Sequence, residues 1–337
     1  MIASGMRWAA LIPILALGGC LRGVTPEVSG RVDVAPPGAD VVRLVYLGVG
    51  GWIIERGDVQ LLAAPLFTNP SVPRTGLMSI RSDTAAVSRS MAAYDVSGAR
   101  AILVGHGHYD HLMDVPQIAR RHAPRARILG SRTVLNTLGT WSGLAGRVDV
   151  VDEHAGDQRN PGRWMALGPE LRVLPLRSMH APHFEGVTLY HGTADEPFVE
   201  EPRWASEWLD GHTYAFLVDF LDPDGTVAFR IYYQDAVVQP PLGFAPDTLI
   251  RERPVDAAVF VPATFDQVEW HPEALVENLH PRWVLLGHWE DFFRSPSEPT
   301  RSIRLTDIGH FRGRLERVFS GPSWLPEIGT EFRFPVR

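Results

Sequence analysis

Ala101-Ile-Leu-Val-Gly105-His106-Gly-His108-Tyr-Asp110-His111 is the stretch that decides how this chain is read. Four apolar residues, Ala101–Val104, suit a short buried strand, and Gly105 ends it. Three histidines and an aspartate then follow within six residues. In extended backbone, residues two apart point to the same side, so His106 and His108 can converge on one ion. Asp110 and His111 sit beyond, near the following helix, and can face a second ion. Imidazole and carboxylate donors suit zinc, and also manganese or iron. A polar loop with a capping aspartate would account for one such residue, but not for all four at this spacing.

Working outward, the next segment reads as a helix over Val115–His122. Asp114 and Gln117 are placed for a capping box, Pro116 suits the first turn, and Pro124 stops the helix. Further helices are expected at Thr84–Tyr94, Arg132–Leu138 and Glu273–Leu279. Upstream, Val41–Leu47, Trp52–Glu55 and Val59–Ala63 read as a meander turned by Gly48, Gly50, Gly51, Gly57 and Asp58. Further strands are expected at Arg127–Leu129, Val148–Val151, Leu171–Leu176, Tyr214–Phe220, Val227–Tyr233, Ala257–Val261 and Trp283–Leu286. Many strands with interspersed helices imply an α/β (α+β) domain of two sheets covered by helices, over residues 41–337. Residues 64–83 and 190–212 are long and irregular, as functional lids or insertions often are.

Composition narrows the function. The chain has 337 residues and a formal net charge of −7, and all 32 basic residues are arginines. A Schiff-base lysine, a phosphate-loop lysine and a lysine general base are therefore excluded. An acidic chain also fits nucleic-acid binding poorly, since that needs a basic face. One cysteine allows no intrachain disulfide and no multi-cysteine zinc site.

The segment His106-Gly-His108-Tyr-Asp110-His111 resembles the His-x-His-x-Asp-His hallmark of the metallo-β-lactamase fold superfamily. That family then asks for a histidine, an aspartate and a histidine, in order, each just after a strand. His180 follows Leu171–Leu176, Asp235 follows Val227–Tyr233, and His288 follows Trp283–Leu286. The resemblance covers roughly residues 41–290 and implies a four-layer αββα sandwich with metals at one edge. It implies that His106, His108 and His180 hold a first metal, that Asp110, His111 and His288 hold a second, and that Asp235 bridges. Each later position has rivals: His183 for His180; Asp219, Asp222 and Asp224 for Asp235; His271 and His280 for His288. The chain departs from the pattern in having Leu61-Leu62-Ala63-Ala64-Pro65 where many members carry a supporting aspartate after the third strand. No polar residue stands in the turn Gly48–Gly51, and Tyr233-Gln234 replaces the common glycine before the bridging aspartate.

The implied chemistry is hydrolysis by a hydroxide bridging two divalent ions, zinc before manganese or iron, with Asp110 and Asp235 as the carboxylates of the reaction centre. Asp235 argues against class B β-lactamases. It favours branches resembling phosphodiesterases, lactonases and the phospholipase D-like lipases, acting on an ester, lactone or phosphodiester. His183, Tyr233, Trp289 and Glu290 adjoin ligands, and Phe184, Trp204 and Trp208 are candidates to line a pocket. The alternatives are a catalytically silent scaffold or binding module on the same fold, and a single-iron redox enzyme.

At the amino end, Arg7 precedes an apolar run, Trp8–Leu17, too short to span a bilayer as a helix. It ends Leu17-Gly18-Gly19-Cys20, which resembles a bacterial lipobox. Residues 1–19 then read as a lipoprotein signal peptide, Cys20 as a lipid anchor, and residues 20–40 as a flexible tether. Leu21 after the cysteine implies the outer membrane, with the domain facing the periplasm. A membrane site makes a small-molecule or lipid-like substrate the expected partner.

Overall fold

Along Val41–Gly48 the side chains alternate between two interiors. Val42, Leu44 and Tyr46 enter one apolar cluster, and Val45 and Leu47 enter another. This period of two is what a strand buried on both faces requires. The computed structural model describes residues 23–336 and repeats the pattern over two sheets. The first runs β1 (Arg31–Asp33), β15 (Glu331–Pro335), β2 (Val41–Gly48), β3 (Gly51–Arg56), β4 (Val59–Ala63), β5 (Ala101–Leu103), β6 (Arg127–Gly130) and β7 (Val148–Val150). The second runs β14 (Ser323–Trp324), β13 (Trp283–Leu286), β12 (Ala257–Phe260), β11 (Val227–Tyr233), β10 (Tyr214–Leu221), β9 (Leu171–Arg177) and β8 (Met165–Ala166).

Between the sheets lies the larger cluster, where Leu44, Trp52 and Leu61 of the first sheet meet Val173, Phe216, Phe229 and Ile231 of the second. Helix α7 (Glu273–Leu279) and helix α8 (Ile308–Val318) join the same cluster through Leu275, Leu279, Phe311 and Leu315. The outer face of the first sheet is covered by α2 (Thr84–Met91), α4 (Val115–Arg121) and α5 (Arg132–Leu138), through Met91, Ile118 and Val134. Helix, sheet, sheet, helix is the four-layer αββα arrangement expected from the sequence.

Pairing is antiparallel through β2, β3 and β4 and turns parallel from β4 to β5 onward. In the second sheet it turns parallel from β11 through β12 to β13. The carboxyl ends of parallel strands are where ligand sites collect in such sheets. His106 follows β5, Asp235 follows β11 and His288 follows β13. Among the described residues no helix is long and apolar enough to cross a membrane.

Three expectations need correction. The tether is not free along its length: Arg31–Asp33 pairs in parallel with Glu331–Arg333, and Val24 and Val28 pack on the core. A three-residue strand with polar ends gives no local signal, and its partner lies at the far end of the chain. The irregular stretch 64–83 contains helix α1 (Val72–Leu77). The capping box at Asp114 does not form. Its carboxylate accepts instead from Phe67 N (2.8 Å), Thr68 N (2.9 Å), Thr68 Oγ1 (2.6 Å) and Ser82 Oγ (2.6 Å). Four donors to a buried carboxylate outcompete one helix end. Cys20 and the signal segment lie outside the described residues.

Candidate metal centre

The loop after β5 is dictated by two glycines. A Cβ at Gly105 would stand 2.2 Å from Asp235 Oδ1, and one at Gly107 would stand 2.4 Å from Leu209 O. No other residue type fits. Gly107 N also donates to Asp210 O at 2.8 Å, which fixes the turn between the two histidines.

His106, His108 and His180 form a near-equilateral cluster, with every pair of ring centroids 4.8 Å apart. One ligand atom from each lies within 4.8 Å of the others. His180 Nδ1–H donates to Ala181 O at 2.6 Å, so its Nε2 is the free acceptor. The second set is built around Asp110, whose Oδ2 lies 3.3 Å from His111 Nε2 and 3.3 Å from His288 Nε2. His106 joins the sets, with its ring centroid 4.3 Å from that of His111. Asp235 lies against both: Oδ1 is 3.1 Å from His106 Nδ1, and Oδ2 is 3.4 Å from His111 Nδ1 and accepts from Gly105 N at 2.9 Å. The structure therefore brings all seven expected side chains together, with Asp235 meeting one imidazole from each set.

Burial, and then the neighbouring imidazoles, hold His106 and His108 well below the usual histidine range. His180 is pushed down to about 4 by burial and by His183. Burial would raise Asp110, but His111 and His288 outweigh it and hold the carboxyl well below its usual range. His111 shows the converse: Asp110 and Asp235 outweigh burial and raise it. Burial raises Asp235.

The fit to a cation rests on imidazole nitrogens that make no hydrogen bond. His106 Nε2, His108 Nε2, both nitrogens of His111 and Nδ1 of His288 are buried with no hydrogen bond. Unpaired polar atoms in an interior are costly and uncommon. Three imidazoles in one set, with two imidazoles and a carboxylate in the other, match the donors that divalent zinc, manganese or iron take.

The rivals lie elsewhere. Asp219 pairs with Arg172 and Arg230, Asp222 pairs with Arg56, and Asp224 caps a turn at Thr226. His271 bonds to Val261 O at 3.1 Å, and His280 closes α7 in the left-handed region. His183 is not an alternative to His180 but its neighbour, stacked at 4.6 Å and 15°. Its Nδ1 accepts from Leu189 N at 3.1 Å, which leaves the proton on Nε2. Tyr233 donates to Gly50 O at 2.7 Å, and Trp289 Nε1 donates to Pro326 O at 3.0 Å, so both are supports. Trp208 is core, whereas Phe184 and Trp204 are exposed. Sequence reasoning missed Tyr190, whose ring stands perpendicular to His108 at 6.2 Å. It also missed the pair His191–Asp210 (2.8 Å), whose carboxylate further accepts from Gly192 N. Neither carries a sequence signal, because both come from the irregular stretch 190–212.

A family model described as Beta-lactamase superfamily domain matches residues 68–289, well over half of the chain and nearly every ligand-bearing element. The chain belongs to the β-lactamase superfamily. Within it, a metal-dependent hydrolase from Aeropyrum pernix is 30% identical over 89 residues, which is 26% of this chain and 29% of that relative. The chain thus matches less than a third of that relative's length. Among solved structures of the superfamily's fold, Igni18, a metallo hydrolase from Ignicoccus hospitalis, superposes with a TM-score of 0.52 at 16% identity, over 88% of this chain and 100% of Igni18. The metallo-β-lactamase fold protein YhfI from Bacillus subtilis gives 0.50 at 13% identity, over 88% and 100%. At such identity the likeness shows the fold.

Proposed function

We propose that this protein is a binuclear metal-dependent hydrolase acting on an ester, lactone or phosphodiester. The observation that carries the reading is the convergence of buried ligand atoms in two groups that share His106, one with His108 and His180 and one with Asp110 and His111, with Asp110 also meeting His288. His106, His108 and His180 would hold one ion, and Asp110, His111 and His288 the other. Divalent ions held there would supply Lewis acidity and make water a hydroxide source near neutral pH.

The chain's own groups do the rest. Asp235 lies against an imidazole of each set and would serve as the bridging carboxylate. Burial favours the neutral form of His106 and His108, whose lone pairs are then ready for a cation. His183 presents an Nε2–H beside His180, a donor suited to a substrate oxygen. No lysine, serine or cysteine nucleophile is called for. We further propose anchorage by a lipid at Cys20 on the periplasmic side of the outer membrane, with a small or lipid-like substrate.

The test is metal content by plasma mass spectrometry together with turnover on activated ester, lactone and phosphodiester probes. About two ions per chain and turnover abolished by chelator are expected. A folded protein that takes up no metal overturns the reading.

A further inference from the structure

His288 reaches the centre from an unusual backbone. Its φ is 51°, in the left-handed region, and Val49 across from it has φ 52°. Neither is glycine, so both conformations must be imposed by their surroundings. The two residues are tied together: His288 N donates to Val49 O at 2.9 Å and also to Tyr46 Oη at 3.0 Å.

Both acceptors lead to one side chain. Glu290 is buried, with Oε2 accepting from the Tyr46 hydroxyl and Oε1 accepting from Val49 N. The donor count closes. Val49 N–H and Tyr46 O–H fill one oxygen each of a group that can only accept when ionised. The Tyr46 oxygen, its hydrogen turned to Glu290, accepts the N–H of His288. Gly48, at φ 93°, admits the carboxylate, since a Cβ there would lie 3.2 Å from Glu290 Oε1. Tyr46 sits at the end of β2 and is fully buried, and burial together with Glu290 holds its hydroxyl well above the usual tyrosine range.

We infer that Glu290 is a positioning residue for the second metal. By gripping the Val49 turn and the Tyr46 hydroxyl, it fixes the left-handed backbone that turns His288 toward Asp110, without itself touching an ion. This rests on the binuclear reading above. It assigns Glu290 to one ion only, because no bond from Glu290 runs to His106, His108 or His180.

The experiment is a zinc titration of the full chain, stripped with chelator, against a competing chromophoric chelator. Cobalt(II) absorption would follow the second site. Glu290→Ala is expected to weaken the second binding equilibrium by about tenfold or more and leave the first within about twofold. Glu290→Gln keeps an acceptor for Val49 N and should recover to within about threefold of wild type. Tyr46→Phe removes only the hydroxyl link. It should show the same selective loss, but smaller, and it carries the test if the alanine variant does not fold. Two unaltered equilibria in Glu290→Ala overturn the assignment, as does equal weakening of both with no rescue by Gln. A wild-type chain that binds no zinc overturns the binuclear reading itself, and the assignment with it. One that binds two ions and loses neither in any variant overturns only the assignment.

Discussion

The two candidate ligand sets are built by different means. His106, His108 and His180 are imidazoles held neutral by burial, and two come from a glycine-fixed turn. Asp110, His111 and His288 are held by charge: a carboxyl kept low, an imidazole kept high, and a third ligand on left-handed backbone. The first set is preformed by packing. The second is a balance of opposed charges, and its last member depends on distant hydrogen bonds. Burial favours the neutral form in the first set, whereas Asp110 and Asp235 favour the protonated form of His111 against a cation.

The largest effect should come from the carboxylate that lies against both sets. Asp235→Ala is expected to lower both metal equilibria and cut turnover about a thousandfold or more, read by metal analysis and kinetics. Loss confined to one ion would show that the sets are independent. Gly105→Ala drives a methyl into Asp235 and should destabilise the fold by about 3 kcal/mol in denaturant titration, with metal loss alongside.

Acid sharpens the contrast. For imidazoles lowered by burial, the unfolded chain takes protons first. Their contribution is intact above about pH 6.5 and is lost as pH falls toward the folded value. His271, fully buried and pushed down to about 4, should alone remove about 3 kcal/mol across that window. The ligands His106 and His108 act in the same direction in metal-free protein, and saturating zinc should suppress their share. Urea titrations at pH 7 and 4.5, with and without zinc, read this. The smallest effect is expected for Tyr233→Phe, which frees Gly50 O behind His111 and should cost about 1 kcal/mol while weakening the second ion more than the first.

What the sequence made legible was local. The motif after β5 is continuous, and His180, Asp235 and His288 each follow a strand whose apolar run is plain to read. What stayed hidden depends on tertiary approach. Glu290 and Tyr46 are 244 positions apart, and nothing near either marks a shared bond. Asp114 carries a helix-start signature, yet its carboxylate is claimed by Thr68 and Ser82 from another loop. The His191–Asp210 pair lies in a stretch with no periodicity at all.

The strand pair at the sheet edge carries one more consequence, a mechanical one. The segment leading into β1 is laced to the rest of the chain: Ser302 N donates to Val24 O, and Glu27 N donates to Leu325 O. Ser302 in turn bridges to Glu290, and Ile303 N donates to Trp289 O. Two rungs of backbone therefore join Val24 to the residues that follow His288. The amino-terminal segment and the turn after His288 thus share two consecutive backbone links, and trimming the chain past Val24 is expected to loosen the Glu290 side of the centre.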